Sequence, residues 1–103
     1  LSNSRSQDKE LAYNEARSIL KLLATEFPNR QEYRQALAGV HNNLGNLFAE
    51  TGRFKEAEDA HNEALAIRKQ LVADFPNGHN LRRALAMSHS NLGWIFASTN
   101  RPE

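Results

Sequence analysis

"HNNLGNLF" at residues 41–48 returns as "HSNLGWIF" at residues 89–96, with five of the eight letters unchanged. Each copy keeps a glycine, Gly45 and Gly93, within a stretch of helical apolar spacing. Glycine inside a helix costs about 1 kcal/mol relative to alanine. A weakening residue kept twice at one place is explained by two backbones that approach too closely for a side chain. Both glycines are therefore expected to face the partner helix of their own hairpin. The sharpest change between the copies puts Trp94, the only tryptophan, where Asn46 stands in the first.

The repetition extends outward from these stretches. Asn43 returns as Asn91, a period of 48 residues, and the same offset aligns "FPN" at 27–29 with 75–77 and "ALA" at 36–38 with 84–86. Arg34 matches Arg82, Thr51 matches Thr99 and Arg53 matches Arg101. Self-similarity at one fixed period marks a repeat architecture. Residues 1–103 read as one domain of two units, 8–55 and 56–103, out of phase with the hairpins. The chain opens near the turn before one helix and stops at "NRPE", where the matching helix of a further unit begins. That phase predicts an excerpt of a longer array.

Turn chemistry divides the chain into four long segments near 7–27, 30–51, 54–75 and 79–99. "EFPNR" and "DFPNG" stop helices, because proline lacks a donor and disfavours helix in the residue before it. Gly52 and Asn100 occupy equivalent places after "ET" and "ST"; these are the residue types that best adopt the left-handed conformation past a helix end. Tyr33, Leu37, Val40, Leu44, Leu47 and Thr51 advance by fours and threes, as do Phe54, Ala57, His61, Ala64, Arg68, Leu71 and Phe75. That spacing is helical, not extended. Arg68 is expected to lay its stem on the core and carry its charge to water. Connections this short make neighbouring helices antiparallel. The fold class is all-α, with antiparallel helical hairpins stacked as a short solenoid of four long helices.

Composition narrows the function. Thirteen basic and twelve acidic residues are interleaved and nearly cancel, which gives no clustered basic face for nucleic acid or an anionic membrane. No apolar run approaches the roughly 20 residues that cross a bilayer. With no cysteine, disulfides and thiolate metal sites are excluded, and a reducing, cytoplasmic location is expected.

The residues that carry chemistry do not converge. His41 and His89 are equivalent positions, and neither has a His or acidic partner three or four residues away; a zinc site needs three or four ligands. They are expected to fill a large semi-polar core slot. Ser88 and Ser90 flank His89, but adjacent helical residues point to different faces and cannot relay a proton. The five glycines fit no phosphate loop. Glu56, Glu58, Asp59 and Glu63 are expected on a solvated outer face. No enzyme, cofactor or metal is expected.

Leu44-Gly45, Phe48, Gly52, Ala57 and Ala64 follow the spacing of a known motif. The second copy starts identically with Leu92-Gly93, Phe96 and Asn100, while Ala12 and Ala16 match Ala60 and Ala64. The pattern resembles the tetratricopeptide repeat, with departures at His41, His89 and His61, where that family prefers aromatics, and in a period of 48 instead of about 34. Long-helix versions similar to it occur in kinesin light chains and in bacterial arrays beside signalling kinases. In a stack of helical hairpins the first helices line the concave side. On the segments near 30–51 and 79–99 that side is expected to present Asn42, Asn43, Asn46 and Glu50, then Arg83, Met87, Ser90, Asn91, Trp94 and Ser98. The resemblance implies that asparagines at Asn43, Asn46 and Asn91 pair with the backbone of a bound peptide, since an amide both donates and accepts. The leading expectation is thus a protein-interaction scaffold whose partner is a protein or peptide segment. The alternative is a structural segment that self-associates through its terminal helices, whose uncovered apolar faces favour association.

Overall fold

The computed structural model describes residues 2–99, with side chains from residue 5 onward. Four helices follow one another: α1 (Ser2–Glu26), α2 (Gln31–Glu50), α3 (Phe54–Asp74) and α4 (His79–Ser98). All are α-helical, as the apolar spacing requires. α1 begins about one turn earlier than the turn signals suggested, and α2, α3 and α4 agree within a residue or so. The counterpart of Gly52, Asn100, lies outside the described residues, as does Arg101.

The turns form as their residues dictate. The amides of Phe27 and Phe75 close the last turns of α1 and α3 on Leu23 and Leu71 at 2.8 Å each. The following prolines then prevent continuation. At the end of α2, Gly52 adopts φ 79°, a conformation that costs an ordinary residue roughly 1–2 kcal/mol. Its amide reaches Ala49 O at 3.1 Å, and the Arg53 amide reaches Phe48 O at 2.7 Å. This paired arrangement satisfies carbonyls that the helix end would otherwise orphan. The Arg53 guanidinium lies 4.5 Å over the Phe48 ring and binds Glu10 of α1 and Glu56 of α3, so one side chain joins three helices at this corner.

Each helix packs on its sequence neighbour, and α2 against α3 is the most extensive contact. On these two helices Ala38, Ala57 and Ala64 are fully buried, as are Leu44 and Leu71. Gly45 sits where a Cβ would come within 2.5 Å of the His61 ring. The glycine is therefore present because an imidazole from α3 occupies the space of its missing side chain. Gly93 differs, since a Cβ there would meet nothing within 4 Å. The expected partner-helix contact is absent at Gly93 among the described residues.

The second pair of packed helices, α3 and α4, is built differently. Ile95 is fully buried and clusters with Ala49 and Ala57, so α2, α3 and α4 meet at one point. Arg68 does not carry its charge to water as the sequence suggested; its guanidinium donates to the buried Ser88 hydroxyl at 2.8 Å. Burial lowers the Arg68 pKa from its ordinary value. A hydroxyl acceptor is the compensation such a half-buried donor needs. At the far end of the hairpin, Arg34 of α2 pairs with Asp74 of α3 at 2.8 Å.

Candidate functional site

α2 and α4 both pack on α3, and their facing sides are tied by a hydrogen bond from Asn91 Nδ2 to Asn42 Oδ1. Beside this tie lies a recess of about 340 Å³ lined by Asn46, Ala49, Glu50, His61, Asn91 and Trp94. Asn46 and Glu50 stand one turn apart on α2, and Asn91 and Trp94 one turn apart on α4, so each pair shares a helix face. Trp94 is 58% exposed, an unusual state for so large an apolar ring. The recess contains amides that both donate and accept, one carboxylate and an open indole face.

A second recess of about 180 Å³ opens on the other flank of α2, between it and α1. Lys9 and Tyr13 face Asn43, Asn46, Leu47 and Glu50 there. Asn46 and Glu50 border both recesses, so α2 forms a polar ridge between them. Of the ten residues the sequence selected, the structure gathers Asn43, Asn46, Glu50, Asn91 and Trp94 along these recesses. Asn42 serves the inter-helix tie instead, with its oxygen committed to Asn91. Arg83, Met87, Ser90 and Ser98 are exposed on α4 and line neither recess.

His61 is the residue that sequence reasoning left out of the site. It is almost fully buried, lines the recess from α3, and its Nδ1 is enclosed without a hydrogen-bond partner. The signal that could have found it is the tight glycine opposite. Desolvation, assisted by the Arg68 charge, lowers the His61 pKa below its ordinary 6.5. His41 is lowered as well, again chiefly by burial; Glu63 opposes the shift while Arg17 and Lys21 add to it. The two equivalent histidines therefore differ from expectation and from each other. His41 is half-buried and His89 is exposed, because α4 has no α3 counterpart over it among the described residues.

His41 lies in a larger cleft of about 580 Å³ between α1 and α3, where Arg17, Ser18 and Lys21 face Glu63 and Ile67. An adjoining pocket of about 220 Å³ adds Glu56 and Asp59. The acidic face of α3 is thus not simply solvated. It opposes a basic wall from α1 and also makes its own short-range pairs, Arg53–Glu56 and Lys55–Asp59. Among the described residues, no group of three His, Cys, Asp or Glu side chains could hold a metal ion, and no helix is long and apolar enough to cross a membrane.

The geometry of two α2-like helices laid over one α3-like helix now meets an independent finding. Residues 37–77, spanning most of α2, all of α3 and the proline turn after it, match the family model of the tetratricopeptide repeat. The α2–α3 hairpin is similar to a tetratricopeptide repeat over those residues. No curated protein and no solved structure matches the chain. Tetratricopeptide repeats generally mediate contacts between proteins.

The lowered histidines give the repeat a specific pH response. Well above the ordinary imidazole pKa of about 6.5, both histidines are neutral whether the chain is folded or unfolded. Below it the unfolded chain takes up protons that the folded chain resists, so stability falls as pH drops. Glu56 and Asp74 are held below their ordinary values of 4.5 and 3.8 by hydrogen bonds from Arg53 and Arg34. Their contribution is present above those values and is lost only as pH falls through the lowered ones. Urea denaturation is expected to show a lower midpoint at pH 5.5 than at pH 7.5. His61→Phe and His41→Phe should each shrink that difference; an unchanged difference in both would place its origin elsewhere.

Proposed function

We propose that the chain is a protein-interaction module that holds an extended partner segment along the face shared by α2 and α4. The observation that carries this reading is the recess in which Asn46 and Glu50 of one unit meet Asn91 and Trp94 of the next. Amide side chains suit the backbone of an extended chain, which offers a donor and an acceptor at every residue. Trp94 supplies a large apolar surface, and aromatic anchors carry a disproportionate share of binding energy at interfaces. Glu50 adds a preference for partners with a positive group nearby. The module has no catalytic role in this reading, because its polar residues are disposed to pair and not to activate a nucleophile.

Selection from a random peptide library tests the proposal. Peptides enriched on the unaltered chain should lose at least ten-fold in affinity on Trp94→Ala, as expected for an interface anchor of about 1.4 kcal/mol or more. Asn46→Ala and Asn91→Ala should weaken them by smaller factors, roughly three- to ten-fold. Enriched peptides that bind all three variants as tightly as the unaltered chain would place the binding face elsewhere.

A further inference from the structure

The cleft between α1 and α3 has walls of opposite charge that face each other without closing. Both helices pack on α2, which forms the floor. Arg17 and Lys21 stand one turn apart on the α1 wall, and Asp59 and Glu63 one turn apart on the α3 wall. All four are exposed. Among the described residues no ion pair joins Arg17 or Lys21 to Asp59 or Glu63, and Asp59 pairs within α3, with Lys55. Half-buried His41 lies between the walls and responds to both: Glu63 raises its pKa, while Arg17 and Lys21 lower it. Floor and walls all come from residues 17 to 67, so three consecutive helices make the cleft complete.

The charges are staggered along the cleft. Arg17, His41 and Glu63 border both of its adjoining recesses, Asp59 only the one toward Phe48, and Lys21 only the one toward Leu37. The order along α2 is therefore Asp59, then Arg17 and Glu63, then Lys21. Residues one helical turn apart are spaced by about 6 Å. Alternate residues of an extended chain are spaced by about 6.6 Å and point to the same side. The two periods match closely enough for one extended segment to address both walls, odd side chains to one and even to the other. Its backbone then runs over His41, a neutral imidazole that offers one donor and one acceptor. From Leu37 to Phe48 the floor runs about 16 Å, the length of about five extended residues.

We infer that this cleft is a second protein-interaction surface, which takes an extended segment whose side chains alternate between acidic and basic. Its acidic side chains lie on Arg17 and Lys21, and its basic side chains on Asp59 and Glu63. The surface is distinct from the α2–α4 recess, with which it shares no lining residue. Recognition rests on the order of charges and not on net charge, because each wall repels side chains of its own sign.

Two synthetic peptides of identical composition test the inference: an alternating Lys-Glu hexapeptide with capped ends, and its block isomer of three lysines followed by three glutamates. Titration into the isotopically labelled 103-residue chain at low ionic strength, followed by NMR, measures both affinities and locates the contact. The alternating peptide should bind roughly ten-fold more tightly than the block isomer, since several exposed pairs act together. Its shifts should centre on Arg17, Lys21, His41 and Glu63 and leave the Trp94 indole unmoved. Arg17→Glu combined with Lys21→Glu, and separately Glu63→Lys, should each weaken the alternating peptide several-fold. These positions are exposed, and circular dichroism verifies that helicity is kept. Trp94→Ala should bind the alternating peptide like the unaltered chain, which separates this surface from the α2–α4 face. The inference is overturned if neither peptide binds, if both bind equally, if the shifts lie away from the cleft, if either charge reversal leaves affinity unchanged, or if binding depends on Trp94.

Discussion

Ile95→Ala lowers the unfolding free energy by about 2–5 kcal/mol, the range for truncating a fully buried isoleucine to alanine. Ile95 is the side chain at which three helices meet, in contact with Ala49 of α2 and Ala57 of α3. Its neighbours are already small, so they cannot expand into the vacated volume. Phe48 and Phe54 flank the cluster and are only partly buried, which gives them some freedom to shift and keeps the expected loss from the top of the range. A small domain is stable by only about 5–15 kcal/mol, so this single change removes a substantial part of the total. Urea denaturation monitored by helical circular dichroism measures it. A loss below about 1 kcal/mol would mean that α4 is not docked through this cluster.

Gly45→Ala and Gly93→Ala are expected to move stability in opposite directions, although they make the same chemical change in the same repeated phrase. Each gains about 1 kcal/mol of helix propensity. At Gly93 nothing opposes that gain, because the new methyl meets open space. At Gly45 the methyl would fall 2.5 Å from the His61 ring, and that ring is almost fully buried with two torsions to adjust. Overpacking of this kind costs about 1–3 kcal/mol and more where the backbone must part. The α2–α3 contact is the one that suffers. The expected outcome is a net loss for Gly45→Ala and a gain of up to about 1 kcal/mol for Gly93→Ala, both measured at submicromolar protein. In a His61→Ala background the penalty at Gly45 should vanish, and a double-mutant cycle isolates that coupling. If both substitutions stabilise the unaltered chain equally, the close approach at Gly45 is not a constraint on the fold.

The helices and turns were legible because the signals behind them are local. Proline at 28 and 76 and glycine at 52 act within one turn of the chain, and helical spacing shows which face is apolar. Readings failed where the deciding neighbour is distant in sequence. Arg68 looks like a surface-seeking residue until Ser88, 20 positions away, is seen to receive its guanidinium. A signal existed: Leu20 and Val40 at the equivalent places are both apolar, and both turn polar together as Arg68 and Ser88. His89 reads as a core residue by analogy with His41, yet burial depends on which helices cover a face, and a repeat unit at an edge lacks a neighbour.

The candidate site was legible in its centre and not along its length. Helical phase brings Asn43, Asn46 and Glu50 to one face, and Asn91 and Trp94 to another, which is enough to align them on the two recesses. Phase says nothing about where two helices diverge, so Arg83, Met87 and Ser98 could not be separated from the central set by spacing. Asn42 looked like a ligand-facing amide and is instead the acceptor that fastens α4 to α2. His61 belongs to the second-layer helix, and only the missing side chain of Gly45 lets it approach the recess floor.

Trp94 is the only tryptophan, so its fluorescence reports on the α2–α4 face alone. Saturating the chain with the tightest peptide from a library selection should shift the emission of this exposed indole to shorter wavelength as the ring is covered. The shift should follow the same binding curve as an independent measurement of affinity. If that tightest peptide saturates the chain while leaving Trp94 emission unchanged, the account is contradicted, because the peptide binds away from the recess where the two units meet.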